Sequence, residues 1–395
     1  MRSSWIIFSI ACIFILIENL CFYRFILRNS FISNKKLLKF VMIILTLILS
    51  IGFFFESFYL KKISHPAFYK YVAIFNSLLM TIYIPMTIIL LAKFFNFFTK
   101  KIFKNNLILN AGYFISIGVA MVIIWGATFG TYNYKVETFN INSKKIPESF
   151  NNFRIVHISD LHLGSHRTTF RGIKKVVDII NHLHPDVILF TGDMVNNFGE
   201  EIKPWINELK RIESRYGKFS ILGNHDYGSY TKWKSKRAKQ NNLNEIARNE
   251  RLAGFQLLLD ESSTISINGD SINILGVQNW SLPPFPKYGN LQKAIKGVDK
   301  NLFTILLTHD PNHWEAEVKD TFIDLSLSGH THAMQMGIDI FGKKWSPSKY
   351  LSKHWDGLYK YNEQYLNVNR GLGFVGFRGR ILQRPAISLI ILHKK

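Results

Sequence analysis

The chain has 395 residues, 49 Lys/Arg against 27 Asp/Glu, and a formal net charge of +22. That length accommodates two domains, and the basic residues of the first half sit in short runs between apolar stretches, a pattern of membrane spans with basic flanks rather than of a nucleic-acid-binding tail. Cys12 and Cys21 are the only cysteines, which excludes a thiolate zinc site or a disulfide framework in the rest of the chain.

Four stretches near the N-terminus are long and apolar enough to span a bilayer: Trp5–Tyr23, Leu37–Leu60, Phe68–Ala92 and Leu107–Gly130. Each reaches the ~20 residues that cross ~30 Å of hydrocarbon as a helix. The first lacks a small-x-small cleavage site, and three more follow, so it reads as a retained span. Glu18 lies near its end, where snorkelling is easy. Pro85 marks a kink in the third span. The tight loops after spans one and three carry Arg24, Arg28, Lys35 and Lys36, and Lys93, Lys100, Lys101 and Lys104. The positive-inside rule then puts both termini outside the cytoplasm. The expectation is a multi-pass protein of the cytoplasmic membrane with an extracytoplasmic C-terminal domain. Residues 1–130 form the helical membrane region, 131–152 a connector, and 153–395 the second domain.

Beyond the connector, strand-like and helix-like segments alternate. "FRIVHIS", "DVILFTG" and "KFSILG" read as strands, and Phe170–His182 and Glu201–Tyr216 as helices. Lys232–Asn242 is a basic polar stretch, and Asn244–Gly254 a helix. "STISING" and "SINILGV" form a hairpin about Asn268-Gly269-Asp270. "LFTILLT", "IDLSLSG", "QYLNVN" and "AISLIIL" complete the strands. Strands mixed with helices predict layered α/β packing around a buried sheet.

The polar residues cluster where these strands end. Asp160 and His162 follow the first strand, and Asp193 the second. Asn224, His225 and Asp226 follow the third. His309 follows "LFTILLT", and His330 and His332 follow "IDLSLSG". Open α/β sheets place their ligands at the carboxyl ends of strands. Asp160, His162, Asp193, Asn224, His309, His330 and His332 make a mixed oxygen and nitrogen set that suits Mn, Fe or Zn. Seven donors exceed the need of one tetrahedral zinc. With one carboxylate shared they fill two metals, and two metals can clamp a phosphate and activate water between them. Each motif alone has a structural explanation. Five in order, each behind a strand, do not.

The order and spacing of D-x-H, G-D, G-N-H-D, an H and G-H-T-H resemble the calcineurin-like metallophosphoesterase superfamily. The resemblance covers most of Phe153–Leu392 and is closest to membrane-associated bacterial members. It implies a four-layer α/β/β/α sandwich, here preceded by about four spans, with a dinuclear site in its mouth. On the family pattern Asp160, His162 and His332 hold one divalent ion. Asn224, His309 and His330 hold the other, and Asp193 bridges. His225 faces substrate and acts on the leaving oxygen, and Asp226 orients it. His166 and Arg167, just past the first motif, are candidate substrate contacts. Many relatives have two glycines after G-H-T-H, where this chain has Ala333 and Met334.

These features predict a membrane-anchored phosphoester hydrolase with two divalent ions, Mn, Fe or Zn. Its expected substrate is a phosphoester or pyrophosphate in a lipid or envelope molecule, attacked by hydroxide formed between the metals. Membrane lipid and a phosphorylated substrate are the expected partners, with no nucleic acid. Two alternatives remain open. One is a phosphodiesterase acting on soluble nucleotides, and the other a non-catalytic envelope sensor or transporter with a phosphate-binding domain.

Overall fold

The computed structural model describes residues 13–21, 23–24, 35–59, 65–103, 106–166, 171–340 and 343–395. Among the described residues, three long helices precede the sheets: α1 (Lys35–Tyr59), α2 (Phe68–Phe103) and α3 (Leu107–Thr128). Among the described residues, α2 over Phe68–Thr99 and all of α3 are long and apolar enough to cross a membrane. Much of the first expected span lies outside the described residues, though residues 13–21 are helical. Ile15 of that segment and Leu49 of α1 pack with Leu79, Tyr83 and Met86 of α2. Small residues let α2 and α3 approach closely: a Cβ on Gly112 would lie 2.2 Å from the Ala92 Cβ. Pro85 sits inside α2, and the Ser116 hydroxyl of α3 donates to its carbonyl at 3.0 Å.

Two six-stranded sheets follow. The first runs β1 (Lys135–Ser143), β14 (Ala386–Lys394), β2 (Arg154–Ile158), β3 (Val187–Phe190), β4 (Lys218–Ser220) and β5 (Gln256–Leu257). The second runs β12 (Gly357–Tyr361), β13 (Gln364–Val368), β9 (Leu325–Ser328), β8 (Phe303–Leu307), β7 (Asp270–Gly276) and β6 (Glu261–Ile267), while β10 (Ile338–Ile340) and β11 (Lys343–Trp345) pair with each other. Their facing sides share one core, in which Ile155, Leu189 and Ile390 of the first sheet meet Ile274, Ile305 and Leu327 of the second. On the far side of the first sheet, Val156, Ile188 and Phe190 pack under α4 (Arg171–His182), α5 (Ile206–Lys210) and α6 (Lys236–Leu252). On the far side of the second, Leu275, Leu306 and Val368 pack under Leu291, Trp314 and Val318. Helices therefore cover both outer faces of a sheet pair.

Local chemistry explains several boundaries. Ile267 pairs with Asp270 across Asn268-Gly269, whose φ values of 50° and 88° give the left-handed pair that two-residue hairpins favour. Helix α6 starts at Lys236, eight residues before the expected Asn244. The Ser235 side chain accepts the Ala238 N–H and caps the basic segment into the helix. Part of the expected connector is β1, which pairs in parallel with β14 at the other end of the chain. Its partner lies more than 200 residues away in sequence, and its alternating polar pattern is that of an edge strand.

The membrane helices are bonded into the sandwich. The Arg380 N–H donates to the Gly126 carbonyl at 3.1 Å, and the Arg378 N–H to the Ala73 carbonyl at 2.9 Å. Ser77 Oγ donates to the Arg378 carbonyl at 2.6 Å.

Candidate metal centre

Strands β2, β3 and β4 are parallel, as are β8 and β9. Their carboxyl ends bring the polar motifs of both sheets to one edge. The turns there are tight, and Asp160, His162, Asp193, His330 and His332 all adopt positive φ, between 45° and 70°. That conformation costs a non-glycine residue free energy that the surrounding fold must supply, as at many functional sites. Glycine makes two of the turns possible. A Cβ on Gly223 would lie 2.3 Å from Asp193 Oδ1, and one on Gly329 would lie 2.2 Å from Asp160 Oδ2.

The side chains converge. Asp160, His162 and His332 each offer a donor atom within 4.8 Å of the others, and so do Asp160, Asp193 and His309. His162 Nε2 lies 3.0 Å from His332 Nε2, which lies 3.1 Å from Asp160 Oδ1. Asp193 Oδ2 lies 3.7 Å from His162 Nε2 and 3.2 Å from His309 Nε2. Asn224 Oδ1 and His330 Nδ1 are 2.9 Å apart. All seven expected donors thus meet at one edge. Asp160 is common to both groups, and Asp193 lies between them.

Supporting bonds fix the donors. The His309 Nδ1–H donates to the Thr191 carbonyl at 2.7 Å, which turns Nε2 toward Asp193. The His330 N–H donates to both Asp160 oxygens at 3.2 and 3.1 Å, tying one sheet's loop to the other's carboxylate. Burial pushes Asp160 up, yet the His332 and His309 imidazoles hold its carboxyl far below the usual range. Asp193 is likewise held down, against its burial, by His309 and His225. Burial opposes a charge on His309, but Asp193 and Asp160 raise it to about 10. A buried ionised carboxylate pair ringed by imidazoles is a donor set made for divalent cations, so the residues present fit a dinuclear group.

His225 stands at the rim. Its N–H donates to Asp193 Oδ1 at 2.8 Å, and its Nδ1–H to the Asn196 carbonyl at 2.8 Å. Its ring stacks on Tyr230, with centroids 4.3 Å apart. It lines a cavity of about 520 Å³ together with Asp193, Asn224, His330 and His332.

Residues 153–334 match the calcineurin-like phosphoesterase family. The metallophosphoesterase YkuE of Bacillus subtilis (strain 168) is 32% identical over 258 residues, 64% of this chain and 83% of that protein. This chain belongs to the metallophosphoesterase family. A zebrafish (Danio rerio) transmembrane protein with a metallophosphoesterase domain is 28% identical over 70% of this chain and 61% of its own length. The UDP-2,3-diacylglucosamine pyrophosphatase LpxG of Chlamydia trachomatis serovar D is 28% identical over 70% of this chain and 98% of its own.

Two expected roles in this metallophosphoesterase meet a different geometry. Asp226 does not orient the His225 ring. Its carboxylate instead accepts the N–H groups of Asp193, Met194, Val195 and Gly223 at 2.8–3.2 Å, holding the two ligand loops together. Burial and the Asp193 charge push it up to about 7, against the pull of those donors. The orienting bond comes from the Asn196 carbonyl. His166 is buried, with Nε2 bonded to the Leu161 carbonyl at 3.0 Å and its ring packed on Phe374, and it does not line the cavity at His225. Arg167 lies outside the described residues. Other residues at the site gave little sequence signal. Glu201 accepts the N–H groups of Gly164, Asn196, Asn197 and Phe198, and so shapes the loop that holds His225. Asn224 Nδ2 donates to Tyr230 Oη at 2.6 Å. Asp310, which follows His309 directly, lies 3.9 Å from His330 Nε2.

Proposed function

We propose that this chain is a membrane-anchored, metal-dependent phosphoester hydrolase whose substrate is a lipid-linked phosphate. The observation that carries the reading is the pair of donor groups sharing Asp160, with Asp193 between them and His225 at the mouth. When bound, two divalent ions offset the phosphate charge and lower the pKa of water. Asp160 and Asp193 would hold both ions, with His162 and His332 on one side and His309, Asn224 and His330 on the other. His225 bonds the Asn196 carbonyl through Nδ1, so Nε2 carries the exchangeable proton. Water supplies the new P–O bond. The bond to the leaving oxygen breaks, that oxygen takes the Nε2 proton from the imidazolium, and the proton released by the attacking water restores the imidazolium.

The lipid part of the reading has two supports. Two helices are long and apolar enough to cross a membrane. One similar protein is a pyrophosphatase named for a diacylated sugar nucleotide. We extend the anchor to four spans, with both termini and the hydrolase domain outside the cytoplasm. The test is turnover of bis(p-nitrophenyl) phosphate by the full-length protein titrated with Mn²⁺, Fe²⁺ or Zn²⁺. Metal-dependent release of nitrophenol is expected. No turnover with any of the three overturns the reading.

A further inference from the structure

Helix α2 does more than anchor. Its first two turns form one wall of a second cavity of about 520 Å³, where Tyr69 and Val72 face Ser165, Tyr230 and Val375. His225 and Val375 line this cavity and the metal-side cavity alike. The two spaces therefore meet at the imidazole. The wall is fixed to the rim loops. Asn197 Nδ2 donates to Tyr69 Oη. Asn76 Nδ2 donates to the Gly376 carbonyl at 2.8 Å. Val72 is buried against Phe198, whose ring lies 5.5 Å from that of Trp233.

The cavity is mostly apolar, and its volume falls within the roughly 300–1,000 Å³ of ligand pockets. The helix that walls it exposes Phe68, Tyr71, Ile74 and Leu78 on its outer surface. These stand on the face of α2 turned away from Tyr69 and Val72, so the helix that walls the cavity also presents an apolar face to lipid. A hydrocarbon chain can then pass from the bilayer along α2 into the cavity while its headgroup stays in water. Lys232, exposed at the surface, also lines the cavity and supplies a cation for an anionic headgroup.

We infer that this cavity seats an acyl chain of the substrate, held between α2 and the His225 loop with the phosphate at the metal centre. The inference rests on the hydrolase reading and names the substrate class as an amphipathic phosphoester. Val72 sets how much chain the site accepts. Because the chain binds beside His225, its burial contributes to transition-state binding as well as to ground-state binding.

A series of p-nitrophenyl alkyl phosphodiesters, from ethyl to dodecyl, tests this with the full-length metal-loaded protein in detergent. The wild-type kcat/KM should rise with chain length by up to roughly fourfold per buried methylene, then level off. Val72→Ala should move the levelling point to longer chains and Val72→Phe to shorter ones, opposite shifts that misfolding cannot produce. If the ethyl ester is hydrolysed but chain length has no effect, or neither substitution moves the levelling point, the acyl site is refuted and the hydrolase reading stands. Failure to hydrolyse any ester refutes both.

Discussion

The two sheets contribute unlike chemistry to the same centre. The first supplies both carboxylates and the amide, from Asp160, Asp193 and Asn224, with one imidazole from His162. The second supplies imidazoles only among the expected donors, from His309, His330 and His332. Carboxylate oxygen therefore sits on one side of the seam, and imidazole nitrogen dominates the other. The centre is complete only when the sheets are packed, because its donors cannot be gathered within either sheet. The apolar core between the sheets and the His330 N–H bonds to Asp160 perform that assembly.

The sharpest test of this division is Asp193→Ala. Asp193 Oδ2 reaches toward imidazoles of both sheets. Its loss should lower bound metal at both positions and reduce kcat/KM by about a thousandfold or more. Elemental analysis of the purified protein, alongside turnover, decides it. Retention of two equivalents of metal would show that Asp160 alone bridges the sheets. The next largest effect belongs to the rim. His225→Ala should keep its metal and lose about 10²–10⁴-fold in kcat, the usual worth of a general acid. A parallel loss of metal would make His225 a ligand or a folding residue.

A third test acts on the seam itself. His157 on β2 bonds Asn367 of the opposite sheet through Nδ1 at 2.8 Å and Thr191 through Nε2 at 3.0 Å. Burial lowers it from the ordinary 6.5 to about 4, outweighing the bond to Asn367. The unfolded chain thus takes up this proton first as the pH falls. Stability should be full above pH 6.5 and decline down to about pH 4, by about 3 kcal/mol from this residue. His166 and His313 are lowered to about 4 by burial in the same way and steepen the slope. Unfolding free energies measured across that range should fall with acid, and His157→Asn should flatten the slope by about one proton. An unchanged slope would place the titration elsewhere than the seam.

The charged side of the centre and its imidazoles were legible because metal ligands impose residue type, order and position behind strands. The hairpin at Asn268-Gly269 was legible for a similar local reason. Contacts made through backbone atoms were not. Asp226 looked like a partner for the adjacent His225, but its oxygens face amides of two loops, and amides carry no sequence signature. His166 follows a metal motif, yet the 3-10 turn Leu163–Ser165 directs it into the core. The α2 wall of the second cavity joins residues 69–76 to residues 197 and 376, a separation that no motif spans. Strand β1 escaped for the same reason.

The smallest effect concerns strain, which the sheets also divide unequally. In the first, the left-handed ligands stand singly at Asp160, His162 and Asp193. In the second, His332, Ala333, Met334 and Gln335 form an unbroken left-handed run, with φ between 48° and 56°. Ala333 and Met334 occupy positions where the resemblance expects glycine, the one residue that adopts this conformation freely. Met334 is partly exposed and lines the metal-side cavity, so its backbone strain is only partly offset by packing. Met334→Gly should therefore stabilise the protein by about 1 kcal/mol, the left-handed cost relieved less the entropy glycine loses on folding. Denaturant unfolding of the two proteins measures it. A loss of stability instead would mean that the Met334 side chain holds the second sheet's loop in place, and that this side of the seam is built by packing where the other is built by charge.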